Sequence, residues 1–130
     1  MGGAGQPGNR PGLAAIRDVR RRVHEILDAH PTNTGFSPAD LAVLSLYEGG
    51  GGLNEEGATS ADTLYAFFTS PEIIGKVWEL VDAYAPGAKS VLEPAGGTGR
   101  FAAGRPGNDF TIQEIDPINA RIAQILHPNA

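Results

Sequence analysis

The stretch LEPAGGTGRF at positions 92–101 holds three glycines in four residues, and it decides the fold. Residues 90–93 form a short apolar run that leads directly into the glycines and predicts a buried strand. Residues 99–103 follow them and leave room for a short helix only. A strand, a glycine turn and a helix together form a site for a nucleotide-like ligand, because glycine lets backbone N–H groups approach the ligand closely.

A second strand and a last helix are predicted after this turn. Residues 110–115 alternate in polarity, with Phe110, Ile112 and Glu114 on one face. Residues 117–126 repeat apolar side chains at helical spacing. The order strand, helix, strand, helix predicts an α/β fold with a parallel sheet and helices packed against it. Two strands leave at least one open sheet edge, so we expect the sheet to be incomplete.

The chain before the turn is predicted to be helical. Helices are expected over residues 13–30 and 38–48, the second capped by Ser37 with Pro38 at its first position. Residues 53–66 are predicted to be mainly loop. A third helix follows Ser70, and its predicted buried side comprises Ile73, Ile74, Val77, Trp78, Val81 and Tyr84. We therefore divide the chain into a flexible tail (1–12), a helical region (13–88) and a partial Rossmann-like unit for cofactor binding (89–130).

Composition excludes several classes of protein. A chain of 130 residues corresponds to one domain. Its net charge of -5 argues against a general nucleic-acid binder, which needs clustered lysine and arginine. Without cysteine the chain has no disulfide or thiolate metal site, and its three histidines are too scattered to predict a metal site. No apolar run reaches the roughly 18 residues of a membrane span, so we expect a cytoplasmic protein.

Three nucleotide-like ligands compete for the glycine turn. A P-loop needs a lysine within or just after the turn, and none is present. A dinucleotide loop of the GxGxxA type fits residues 97–102, so NAD stays open as a weaker alternative. Glu93 lies at the end of the strand, where it would repel a pyrophosphate and attract the ammonium group of an amino acid. This carboxylate favours S-adenosylmethionine, whose sulfonium adds a second positive charge.

The residues at the end of the second strand fit the same ligand. Glu114 follows Glu93 by 21 residues. An acid roughly 20 residues on, at the end of the second strand, accepts hydrogen bonds from ribose hydroxyls in nucleoside-binding sheets. Ile115 comes next and could lie against an adenine face. The alternative for Glu114 is an ordinary surface acid at a strand end.

Several motifs resemble adenine-N6 DNA methyltransferases, and the closest resemblance is to the large methylase–helicase proteins of phages and mobile elements. Residues 93–101 resemble the first cofactor motif of that family, an acid followed by proline, small residues and glycines. Residues 113–117 resemble its second motif, and residues 64–81 its N-terminal cofactor element. Shorter pieces at 47–53 and 125–130 extend the resemblance to residues 42–130.

The resemblance implies a class I methyltransferase sheet and a set of cofactor contacts. Glu93, Pro94 and the turn residues Gly97, Thr98 and Gly99 would hold the methionine end of S-adenosylmethionine. Its ribose would be held by Glu114, its adenine by Ile115, and its carboxylate by Thr69 with the neighbouring Phe68. Arg100 departs from the pattern, since a cation pointing into the turn would repel the sulfonium.

The family's catalytic motif, an Asp or Asn followed by Pro-Pro and an aromatic residue, does not occur in the chain. We therefore predict no catalytic residues and no methyl transfer by the isolated chain. Two hypotheses follow. The chain is the cofactor-binding module of a methyltransferase completed by another chain, or it is a repurposed acidic protein. The second could be a phage-encoded inhibitor of a host defence complex such as CRISPR or restriction. Both predict a protein partner, with DNA contacted only indirectly.

Overall fold

The computed structural model describes residues 12–48 and 68–130. Over these residues the chain forms five helices and two strands in the order α1 (Leu13–Ala29), α2 (Pro38–Ser45), α3 (Pro71–Tyr84), β1 (Ser90–Glu93), α4 (Arg100–Ala103), β2 (Asp109–Ile112) and α5 (Pro117–Leu126). The loop predicted at 53–66 and most of the predicted tail lie outside the described residues. The boundaries of the three predicted regions stay a prediction.

The two strands form a parallel sheet, as the sequence predicts. Ser90 pairs with Asp109 and Glu93 with Ile112, so the carboxyl ends of both strands lie at the same edge of the sheet. The α/β class and the strand–helix–strand–helix order are confirmed. The second strand ends at Ile112, earlier than predicted, which leaves Glu114 in the loop between β2 and α5.

Helix starts follow the local chemistry of the sequence. Ser37 caps α2 in a capping box: its side chain accepts a hydrogen bond from the Asp40 N–H, while the Asp40 side chain accepts one from the Ser37 N–H. Ser70 caps α3 and Asp116 caps α5, and each of the three caps precedes a proline. Proline suits this first position because its missing N–H has no partner there.

The described residues pack into two hydrophobic clusters. The first joins α1, α2 and α5 and has Val23, Leu44 and Ile122 fully buried at its centre. The second lies between α3, α4 and one face of the sheet, and it is built on Ile74, Trp78, Ala102 and Phe110. The opposite face of the sheet carries exposed side chains only, namely Ser90, Leu92, Asp109 and Thr111. Parallel sheets are usually covered on both faces, so the described part of the chain leaves this sheet half covered.

Helix α3 differs from the predicted burial pattern. Ile74 and Trp78 are buried, but Ile73 is 57% and Tyr84 85% exposed. The prediction that both residues belong to the buried side was wrong. The apolar surface of α3 is wide enough to form two adjacent stripes, and the described residues cover one of them. Within 12–48 and 68–130, no helix is long and apolar enough to cross a membrane.

Candidate functional site

The glycine turn after β1 has a backbone that only glycine tolerates well. Gly97 and Gly99 have φ angles of +56° and +84°, in the left-handed region. A Cβ atom on Gly96 would lie 2.3 Å from Cγ2 of Ile112 and 3.0 Å from Cγ of Glu93. The three glycines therefore allow the turn to lie directly against the end of the neighbouring strand. This brings its backbone N–H groups close to both strand ends.

Glu114 holds the turn in place. Its Oε2 accepts a hydrogen bond of 2.7 Å from the Gly97 N–H, and its Oε1 accepts one of 2.9 Å from the Asp116 N–H. The Gly96 N–H also donates to the carbonyl of Gln113 at 3.0 Å. A single carboxylate thus connects the glycine turn to the start of α5. Sequence reasoning singled out Glu114 as a ribose contact but missed this structural role, which has no signal in spacing alone.

Glu93 has a different environment from Glu114. It is half-buried beside Gly96, and burial raises the pKa of its carboxyl above the ordinary value. No described cation offsets that effect. A partly desolvated carboxylate without a cation at a strand end is the group that a positively charged ligand would stabilise.

The predicted site residues lie around the turn but do not all reach one space. A small cleft of about 50 Å³ is lined by Phe68, Thr69, Glu93, Gly97 and Thr98, together with neighbouring residues. The other four predicted residues, Pro94, Gly99, Glu114 and Ile115, do not line it. Ile115 is 99% exposed beyond the turn. Ser70 is the N-cap of α3, and Thr69 is the residue before it.

Arg100 is held beside the cleft by contacts with the helical region. Its guanidinium donates to the carbonyl of Tyr47 at 3.3 Å and lies 3.5 Å from the carboxylate of Glu48. It also stacks over the ring of Phe68 at 5.1 Å. Arg100 lines the cleft together with Glu93 and Phe68. Its contacts with Tyr47 and Glu48 partly offset its positive charge there.

His127 closes the other side of the turn. A Cβ atom on Gly99 would lie 2.4 Å from Cδ2 of His127, so the ring packs directly on this glycine. Burial lowers the pKa of His127, while hydrogen bonds with the backbone at Thr98 and Gly99 act in the opposite direction. The end of α5 therefore helps to fix the turn, a contact that sequence reasoning did not predict.

A larger space lies away from the turn. A mainly apolar cavity of about 780 Å³ opens between α1, the end of α2, α3 and α4. Ile16, Leu46, Ile74 and Trp78 contribute to its wall, and Arg100 lies at the side nearest the turn. Sequence reasoning missed this cavity because it depends on how four helices pack together.

Comparison with known proteins finds similarity to "Defense against restriction protein B" of Escherichia phage P1. The two sequences are 29% identical over 113 residues, which is 86% of this chain. The chain spans only 5% of the length of the phage protein. No protein-family model matches the chain, and no solved structure matches it.

These comparisons overturn the resemblance to adenine-N6 DNA methyltransferases. No model of that family matches, and the similar phage protein is named for defence against restriction. The assignment was wrong because its motifs are short and centre on a strand followed by a glycine turn, a local geometry that many unrelated nucleotide sites share. The chain is similar to a phage anti-restriction protein.

Proposed function

We propose that this chain acts against host restriction by binding a protein of the host defence machinery. The observation that carries the proposal is the similarity to the phage P1 protein, which extends over 86% of this chain. The net charge of -5 supports it, because an acidic surface complements the basic grooves with which restriction enzymes hold DNA. The chain would compete with DNA for such a groove, or block access to it.

The proposal is tested by plating unmodified phage on restricting and non-restricting hosts that express this chain. We expect the chain to raise the efficiency of plating at least about tenfold on the restricting host. It should have no effect on the non-restricting host. The control is an empty vector with the same promoter. Unchanged plating on hosts that carry representatives of each restriction class would reject the proposal.

Direct binding gives a second measurement for the same prediction. A complex between this acidic chain and a purified restriction enzyme should weaken when the salt concentration rises from about 50 to about 300 mM. The reason is that the distance over which charges attract one another shortens over this range. Binding that is insensitive to salt would contradict an electrostatic contact.

A second candidate function is binding of S-adenosylmethionine at the glycine turn. We propose it because Glu93 is a half-buried carboxylate with a raised pKa that lines the cleft beside the turn. Its charge suits the ammonium group of the ligand. The cleft of about 50 Å³ is large enough for that group, whereas complete small-molecule sites measure roughly 300–1,000 Å³. The adenosyl part would therefore lie outside the cleft, over Ile115.

Replacement of Glu93 by glutamine tests this candidate with two measurements. Calorimetry should detect S-adenosylmethionine binding to the wild type and none to Glu93→Gln. The substitution should also raise the melting temperature at pH 7 by about 1–2 °C, a small change because the side chain keeps contact with solvent. The sign follows from the raised pKa: the charged form is penalised in the folded protein. The penalty is absent at pH values below the pKa that Glu93 has in the unfolded chain. It develops as the pH rises through the higher pKa that Glu93 has in the folded protein.

Glu114→Gln is the matched control. It should lower stability by about 1–3 kcal/mol, because an amide would present N–H groups where the carboxylate now accepts two backbone N–H donors. If Glu93→Gln raises stability and Glu114→Gln lowers it, the Glu114 carboxylate holds the fold and the Glu93 carboxylate is free to bind a ligand. Absence of heat with the wild-type protein would reject the ligand but leave the proposed anti-restriction role untouched.

A further inference from the structure

Helix α3 carries a stripe of four apolar side chains, of which three are exposed and one, Val77, is half-buried. Ile73, Val77, Leu80 and Tyr84 follow one another at spacings of four, three and four residues, so they lie on one face of the helix. Ile73, Leu80 and Tyr84 are 57%, 58% and 85% exposed. We call this set the α3 stripe. Exposed helix faces are normally polar, so a stripe of this kind marks an interaction surface.

The stripe is separate from the core-facing side of the same helix. Ile74 and Trp78 pack into the second cluster with Val81 at its margin, and the three lie about 80–140° around the helix from Ile73. The second cluster is therefore built without the stripe. Residues 12–48 and 68–130 leave the stripe largely uncovered.

We propose that two copies of this chain associate through the α3 stripe, with their α3 helices antiparallel. The spacing of the stripe is the same when read in either direction, so each of its side chains can face a side chain of the second copy's stripe in a two-fold symmetric contact. With the axis passing between positions 78 and 79, Ile73 lies opposite Tyr84 of the second copy. Val77 then lies opposite Leu80 of the second copy. This is the layered packing of an antiparallel helix pair.

The charges beside the stripe are compatible with this arrangement. Lys76 and Glu79 flank its solvent side and form an ion pair of 3.0 Å within the helix. In the antiparallel pair, Lys76 of one copy lies at nearly the same height as Glu79 of the other, separated along the axis by about 3 Å. Each lysine can therefore pair across the contact as well as along its own helix.

The size of the stripe sets the strength of the contact. Three largely exposed apolar side chains present roughly 400 Å² per copy, hence about 800 Å² over both. Stable interfaces bury more than about 1,200 Å², and smaller contacts are weak or transient. We therefore expect a reversible dimer with a dissociation constant in the range of about 10–500 µM.

Sedimentation equilibrium between about 5 and 500 µM tests the proposal, since this range spans the expected dissociation constant. The wild type should change from monomer to dimer. Leu80→Glu should raise the dissociation constant at least about thirtyfold, as expected for a charge placed at the centre of a contact. Because Leu80 is exposed, the melting temperature of the Leu80→Glu variant at about 5 µM should stay within about 2 °C of the wild-type value.

Two controls separate this contact from other apolar surfaces. Leu92→Ser removes a side chain that is similarly exposed on the open face of the sheet, and it should leave the dissociation constant unchanged. Lys76→Glu should weaken the dimer, and adding Glu79→Lys should restore it. A wild type that stays monomeric throughout, or a dimer that is lost with Leu92→Ser and kept with Leu80→Glu, would overturn the proposal. Either result is independent of the plating assay.

Discussion

Gly99→Ala is expected to lower the free energy of unfolding by about 2–4 kcal/mol. Two costs add. A non-glycine residue at a φ angle of +84° costs roughly 1–2 kcal/mol. The new Cβ would also lie 2.4 Å from Cδ2 of His127 and 3.2 Å from Cδ1 of Ile112. The imidazole would have to leave its half-buried position against the turn, and its packing and backbone hydrogen bonds would be lost.

Urea unfolding monitored by circular dichroism measures this loss, and the chain supplies a matched control. Gly75 lies inside α3, and apart from its chain neighbours and the backbone of the helix no atom lies within 4 Å of the place where a Cβ would be added. Gly75→Ala should therefore stabilise the protein by about 0.5–1 kcal/mol, since alanine is the better helix former. Replacement of glycine by alanine would thus lower the free energy of unfolding at position 99 and raise it at position 75. Equal effects at both would show that the turn does not have the described conformation.

Trp78→Ala is expected to cause the largest loss of stability, about 3–5 kcal/mol. The indole is only 8% exposed, and it meets the rings of Phe101 and Phe110 edge to face at 6.0 and 5.9 Å. The guanidinium of Arg105 stacks over it at 4.7 Å. This side chain therefore joins α3 to both α4 and β2.

The loss would consume a large part of the 5–15 kcal/mol that typically stabilises a domain, so the variant should be partly unfolded at 37 °C. Tyr84→Ala is the control on the same helix. Because Tyr84 is 85% exposed, its removal should change stability by less than about 0.5 kcal/mol at protein concentrations of a few micromolar. A Trp78 variant as stable as the Tyr84 variant would contradict the assignment of the second cluster as core.

Local signals in the sequence were sufficient to predict most of the fold. The cap at Ser37, the last helix and the parallel order around the glycine turn all follow from residues within a few positions of each other. Glycine and proline specify backbone conformations directly, so their effect is readable without knowledge of distant contacts.

Features that depend on tertiary contacts could not be predicted in this way. Apolar periodicity placed Ile73 and Tyr84 on the same buried side of α3 as Trp78, but it cannot tell which of two adjacent stripes meets the core. The error at Ile73 and Tyr84 has this origin. Likewise, spacing predicted that Glu114 contacts a ribose, but spacing could not show that the fold uses both oxygens of this carboxylate to hold Gly97 and Asp116.

The register of the sheet has a consequence for how the chain folds. Ser90 pairs with Asp109, only 19 residues further along, through a crossover whose helix is a single turn. Bringing such near neighbours together costs little loop-closure entropy, so this pairing should form early for a parallel sheet. The first cluster must instead bring Val23 to Ile122, from opposite ends of the described chain. Closing that long loop, and not pairing the strands, should limit the folding rate.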